Sequence, residues 1–543
     1  MKIPEAKERF AFYLDLMEKC NNTRESRKKQ YASWKSYFLY GGGPQMTENT
    51  INKIYSHIEQ LCSLMYSSET TRFSIDISPS ASDLFKTQVP TLMASLNEEW
   101  HLSNADLSFN LALMWSFVFG SMFIKLRVQG TEIETFVVNP GDIGVLREDI
   151  FGLWKQEAFV HSYYVTRSQF EYEMKEIEHP RLKEISASVL ATERTQAEES
   201  LPVMDRIVTS SAQPQVIGNV NFDLSNTNKY RPVVNEPMIQ MYELYVFDDQ
   251  GKDFRIVTIA DPGVVIFDRP LRDLFIKGEI PLIQICPNPA PDYFYGYSET
   301  DKLIPLQNMR NTRMDQISHM LNLQANPPKV GTGFDGSQDE IADALDSPGG
   351  LVLAGMPGAK MDAMIPKVPD DIYKEIREID GMFEEMSGIT NVIQGRGEQG
   401  VRSQGHAANL ARLGSSRAKR RALMVEDALE KIATLYLQLK QAYDPSRFKG
   451  EDGIQFILEQ FTKEFTVKVD AHSNSPIFME DQRQLAFELF KAKAIDRSSL
   501  LDLLDVPMKE LLKDRLKVIE AREAQAAEAQ QKAEALKHAG SGK

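Results

Sequence analysis

Six residues of this sequence, Gly395-Arg396-Gly397-Glu398-Gln399-Gly400, match by letter the G-x-G-x-x-G spacing with which a backbone cradles a dinucleotide pyrophosphate. That chemistry needs the glycines in a tight turn from a β-strand into a helix. Here the apolar spacing puts a helix before the motif, and no β-α-β alternation surrounds it. The pattern reads better as a loop between two helices, with Arg396 and Arg402 projecting from it. The other catalytic signatures are missing. There is no G-x-x-x-x-G-K-[ST] phosphate loop and no G-x-S-x-G elbow. The eight histidines are scattered singly, none four residues from another as in a helical zinc site. Cys20, Cys62 and Cys286 are too few and too far apart for a disulfide framework or a metal cluster. The carboxylate pairs Glu98-Glu99, Asp370-Asp371 and Glu384-Glu385 are adjacent, which suits solvated faces and helix-dipole partners better than a nuclease centre. A basic run, Arg412, Arg417, Lys419, Arg420 and Arg421, reads either as a solvated helical face or as a contact to nucleic-acid phosphate or a neighbouring subunit. No catalytic residue, metal site or cofactor is expected.

The elements that must carry these residues follow from period and punctuation. A chain of 543 residues exceeds what one core supports, so several packed units are expected. Sixty-two basic against 77 acidic residues give a net charge of −15, which argues against tight generic DNA binding but permits DNA to slide past a repulsive wall. The opening MKIPEAKERF lacks the apolar core of a signal peptide, and Leu111 to Ile124 is too short to cross a bilayer. A soluble chain from a reducing compartment is therefore expected. The first hundred residues read as helix. Phe10, Tyr13, Leu14 and Met17 share one face, a basic connection through Arg24, Arg27, Lys28 and Lys29 follows, and further helices span 89–100 and 107–119. From Gly120 the period changes to two. Met122–Val128 and Ile133–Val138 form a hairpin, Trp154–Val165 a strand, and 238–247, 254–260 and 264–267 an antiparallel meander. Residues 186–236, rich in Ser, Thr, Gln and Asn, interrupt that pattern. In the second half a helix from Ser298 to about Gln324 ends at Asn326-Pro327-Pro328. Gly-, Asp- and Pro-rich material occupies 329–369, and a helix spans 370–386. The glycine-rich loop 387–405 precedes a very long helix to about Tyr443. A strand at 465–469 and helices near 480–493, 497–504 and 507–538 follow. The fold class is α+β, mainly helical.

The order of these parts, with local motifs, resembles the portal proteins (head-to-tail connectors) of tailed bacteriophages, particularly those of short-tailed phages. Pro291-Asp292-Tyr293-Phe294-Tyr295-Gly296-Tyr297-Ser298, continuing through Leu303-Ile304-Pro305-Leu306-Gln307-Asn308, is similar to the lead into their first stem helix. Val392 to Gln404 followed by Ala407 to Glu426 resembles their channel loop and the helix behind it. Phe119-Gly120-Ser121 and Val138-Asn139-Pro140-Gly141-Asp142-Ile143 resemble wing segments. The resemblance implies a portal fold: an α/β wing over 1–297, stem helices at 298–325 and 370–388, and a small α/β clip at 326–369. It further implies a channel loop at 389–405, a long helix and wing return at 406–479, and a helical crown at 480–543.

The same resemblance implies a non-enzymatic ring, typically of twelve copies, at one capsid vertex of the virion. Such a ring assembles in the host cytoplasm without a membrane, and double-stranded DNA passes through it. Its partners would be the terminase, tail adaptor proteins, and the major capsid and scaffolding proteins. Gln394, Arg396, Glu398, Gln399 and Arg402 would face the DNA, and Asp335, Asp339, Glu340, Asp343 and Asp346 would lie on the docking clip. Two other readings stay open on the residues alone. One is an intracellular helical adaptor that uses 326–369 as a peptide-binding module. The other is a nucleotide-binding enzyme using Gly395–Gly400.

Overall fold

The computed structural model describes residues 3–4, 6–42, 50–66, 71–77, 83–129, 132–173, 238–261, 263–273, 280–325, 329–333, 356–358, 360–363, 368–387, 416–443, 465–470, 486–492, 494–497, 500–501 and 515–516, with a few single residues besides. The expected excursion at 186–236 lies outside the described residues, as do the glycine-rich loop after Ser387 and nearly all of the 507–538 helix.

Helix α1 (Ala6–Glu25) turns within three residues into α2 (Lys28–Tyr40), and α3 (Lys53–Met65) follows. The periodicity of α1 is as read, but its phase differs. Tyr13, Leu16 and Cys20 are buried, whereas Phe10 is exposed. The side that turns inward is chosen by the sheet beneath it: Tyr13, Leu16 and Cys20 pack on Val160, Leu244, Val257 and Ile259.

The all-helical reading of the first hundred residues is corrected by β1 (Arg72–Ile77). It pairs antiparallel with β12 (Phe465–Asp470), Phe73 opposite Val469 and Ile75 opposite Val467. After α4 (Asp83–Leu102) comes α5 (Ala105–Phe119), which is apolar almost all round and correspondingly buried on most of its surface.

The change of period at Gly120 is real. β2 (Met122–Gln129) and β3 (Glu132–Val138) form the expected hairpin, Phe123 opposite Val138, and β9 (Leu282–Ile285) adds a third strand on the other side of β2. A second, five-stranded sheet has the order β4 (Ile143–Val145), β5 (Ala158–Thr166), β6 (Met238–Asp248), β7 (Asp253–Ala260), β8 (Val264–Pro270). Strand β5 begins at Ala158 rather than Trp154, which sits in a 3-10 turn. A short helix, α6 (Arg167–Glu173), leaves β5. The two sheets are joined by Lys125 of β2, whose ammonium lies 2.6 Å from both oxygens of Glu243 on β6. Burial alone would raise the Glu243 carboxyl, but Lys125 beside it holds it far below the usual range.

The second half contributes α7 (Glu299–Ala325), α8 (Asp370–Ser387) and α9 (Ser416–Tyr443), with β10 (Lys329–Thr332) paired to β11 (Lys360–Ala363) between the first two. The largest core threads through both halves. Trp34, Ile58, Phe73, Trp100 and Phe109 share it with Ile285, Leu303, Ile379, Leu429 and Val467. The α+β class is as expected.

Candidate functional site

The motif Pro291–Ser298 is the segment that hands the chain from β9 to α7, and residues from five other elements converge on it. Tyr295 is buried and donates its hydroxyl to the carbonyl of Ile143 at 2.7 Å. Phe294 donates its backbone N–H to the Glu148 carbonyl at 2.8 Å, and the Gln284 side-chain amide donates to its carbonyl at 2.7 Å. Arg27, from the turn between α1 and α2, lies over the rings of Tyr293 and Tyr295, 4.8 and 4.5 Å from their centroids. Its guanidinium also pairs with Glu148 and donates to the Tyr293 hydroxyl. A planar cation stacked on aromatic faces and tied to a carboxylate is a role that lysine cannot fill.

Two glycines let these backbones meet. Gly120 has φ +91° and Gly296 φ +69°, a region that side chains disfavour. A Cβ on Gly296 would stand 2.3 Å from Cys286 Sγ, and one on Gly120 2.9 Å from the Gly296 carbonyl oxygen. The Phe-Gly-Ser and Tyr-Gly-Tyr-Ser motifs are therefore two sides of one contact. Ser298 completes it. Its hydroxyl donates to the Val118 carbonyl at 2.6 Å and accepts from the Asp301 N–H at 3.0 Å, so it caps α7 while fastening the end of α5.

The first residue of α7, Glu299, is almost fully buried and is the hub of a charged knot. Arg421 of α9 donates to its Oε1 at 2.8 Å, and Lys302 reaches Oε2 at 3.3 Å. Asn288 bridges the pair, giving its amide to Glu299 at 3.2 Å and accepting from Arg421 Nε at 3.1 Å. His57 of α3 stands 3.9 Å away. Burial would raise the Glu299 carboxyl, but His57, Arg421 and Lys302 outweigh it and hold it down to about 2. About three turns further along, Asp380 of α8 accepts from Arg310 of α7 at 2.9 Å and lies 3.4 Å from Lys53 of α3. Arg313 then meets Glu375 at 2.8 Å. Beyond Arg310, burial thins out: Ile317 is the one buried residue left on the described part of α7, and Ile379 and Phe383 are those of α8.

The residues singled out from the sequence fall unevenly on this frame. Gln394, Arg396, Glu398, Gln399, Arg402 and Arg412 lie outside the described residues, as do Asp335, Glu340, Asp343 and Asp346. Asp339 is described and exposed. Arg417 and Lys419 lie at the start of α9, and Arg420 beside them is exposed. Arg421 differs from Arg420, because helical phase turns it inward onto Glu299. Sequence reasoning placed Arg27 only in a basic connection and passed over Glu148, Asn288 and Glu299. Only Glu299 carried a local signal, as an acid in the first turn directly after a capping serine.

All three cysteines are free and buried, and burial pushes the thiols of Cys20 and Cys286 up to about 12. Among the described residues no cluster of His, Cys, Asp or Glu is placed to hold a metal ion. None of the described helices is long and apolar enough to cross a membrane.

Every buried ionic group described above pairs with another part of the chain. Residues 125–443 match the family described as "Phage SU10 portal protein", so the chain belongs to the phage SU10 portal protein family. The resemblance read from the motifs is borne out. The family is structural and non-enzymatic, and the chain is a portal component of a phage-type particle. No curated protein matches. Among solved structures, the chain is similar to one titled "Virion of native gene transfer agent (GTA) particle", with 11% identity, TM-score 0.39, and coverage of 88% of this chain and 94% of the other. It is similar also to "Neck of native GTA particle computed with C12 symmetry", with 10% identity, TM-score 0.39, and coverage of 88% and 93%. At that level of similarity they stand beside the family match without extending it.

Proposed function

We propose that copies of this chain close into a ring, about a dozen strong, that conducts double-stranded DNA through a capsid vertex and serves as a platform for the terminase and tail adaptor proteins. In this reading residues 1–297 and the return at 406–479 form the wing, α7 and α8 the stem, 326–369 the clip, 389–405 the channel loop and 480–543 the crown. Major capsid and scaffolding proteins would surround the ring during assembly in the host cytoplasm.

One observation besides family membership supports this reading most. The far part of the α7–α8 pair leaves Leu321 and Tyr373 exposed, and Met309, Met382 and Met386 are exposed nearer its root. Two helices packed only on each other bury too little to hold such side chains in water, and neighbouring copies supply the missing cover. Heterologous contacts of this kind close into a ring when the rotation fits.

The channel loop follows α8 directly, and its Gln394, Arg396, Glu398, Gln399 and Arg402 would touch passing phosphates. The net charge of −15 keeps the rest of the wall repulsive, so that DNA slides rather than sticks. Asp339 with Asp335, Glu340, Asp343 and Asp346 would present an acidic docking rim on the clip.

Negative-stain electron microscopy with mass photometry of the purified chain tests the ring. Closed rings with a central hole are expected, and a uniformly monomeric or dimeric species would support the adaptor reading instead. For the loop, Arg396→Glu should lower packaged DNA with rings intact; normal genome content in that variant removes the proposed role.

A further inference from the structure

On its outer side the tyrosine ladder that Arg27 closes from within borders an open cleft of about 440 Å³, whose walls include Trp34, Asp292, Tyr293, Tyr297, Asp301 and Lys302. We propose that this cleft is a docking site for an arginine side chain carried by a separate, basic protein. The interior of the same ladder supplies the precedent. There Arg27 lies over Tyr293 and Tyr295 with Glu148 as its carboxylate.

The outer side repeats that combination with no cation stacked on Tyr297 among the described residues. Tyr297 stacks on Tyr293 with ring centroids 6.3 Å apart and planes 27° from parallel, and it is half exposed. Asp292 is exposed, with no hydrogen-bond or ion-pair partner among the described residues. Asp301 spends one oxygen, Oδ1, on the Trp34 indole N–H at 2.8 Å. The cation already present, Lys302, is drawn toward Glu299 at 3.3 Å.

Tyrosine faces beside a carboxylate select a planar, weakly hydrated guanidinium over an ammonium. The cleft's carboxylates, Asp292 and the Asp301 oxygen not held by Trp34, complement a basic side chain, and a chain of net charge −15 attracts a basic protein as its carrier. The site does not depend on ring formation.

Saturation-transfer NMR on the full chain tests it, with N-acetyl-arginine amide as probe and N-acetyl-citrulline amide as its neutral isostere. The arginine probe should take up saturation at its side-chain methylenes, and the citrulline probe about fivefold less. Tyr297→Ala and Asp292→Asn should each weaken the arginine signal by about fivefold while leaving the unfolding midpoint unchanged, since both side chains are exposed. Equal signals from the two probes, or variants that match the parent, overturn the site. If arginine binds the dispersed chain but is shut out of assembled rings, the occupant is a second copy and the separate partner is wrong.

Discussion

The root of α7 and its far half are parts of one helix governed by different rules. At the root, Glu299, Ser298, Gly296 and Tyr295 are buried, and their partners lie on α3, α5, α9 and the segments around Asn288 and Ile143. In the far half, Arg313 and Glu375 face each other, each about one-third exposed, and the Leu321 and Tyr373 side chains are exposed. The first region is complete within one chain, while the second, on the proposed reading, is covered by neighbouring copies. A substitution should therefore cost folding in one place and assembly in the other.

The contrast is broken most severely by Gly296→Val. A branched side chain there meets Cys286 Sγ and the Asn288 carbonyl on a backbone already at positive φ, and we expect a loss of roughly 4 kcal/mol or failure to fold. Gly358→Ala is its control, because φ is +99° but nothing stands within 4 Å of the new methyl. Denaturant titration should show a loss of only about 1–2 kcal/mol, the backbone cost alone.

Next comes Glu299→Gln, which leaves Arg421 buried without its counter-charge at a cost of about 3–5 kcal/mol. Its pH dependence has a definite sign. The folded carboxyl lies at about 2 against an ordinary 4.5, so the stabilisation is whole above pH 4.5 and drains away as pH falls toward 2. The stability gap between parent and variant should be flat at neutral pH and narrow through that window; a constant gap would show that packing, not charge, is what the variant removed.

By contrast, Glu375→Gln removes a pair that is about one-third exposed on each side, and should cost under about 1 kcal/mol at low salt and less at high salt. Leu321→Glu with Tyr373→Lys should shift the unfolding midpoint least, by the equivalent of about 0.5 kcal/mol or less, yet abolish rings in mass photometry. A variant that lost stability and still assembled would reverse the assignment of the two regions.

What could be read from the sequence was local. The β2–β3 hairpin, the β6–β7–β8 meander and the Ser298 cap each follow from period and turn chemistry within a few residues. The phase of α1 was not local, because Phe10 and Leu16 compete for the same inward side and the sheet below decides between them. Strand β1 escaped notice for a similar reason: six residues of alternating pattern inside a helical region gain meaning only from Phe465–Asp470. The Glu299–Arg421 pair, 122 residues apart in the chain, had no sequence signal linking its members. The motifs at 119–121, 138–143 and 291–298 were recognisable as motifs, but that they form a single contact was not.

The β1–β12 pairing also sets an order in time. Ser74 and Lys468 meet across 394 residues, and a ribosome adding 5–20 residues per second needs about 20–80 s to cover that distance. For that interval Phe73 and Ile75 have a strand's pattern and no strand to pair with. The nascent chain is then a candidate for chaperone capture, and truncation before residue 465 should turn a delay in synthesis into a permanent aggregation hazard.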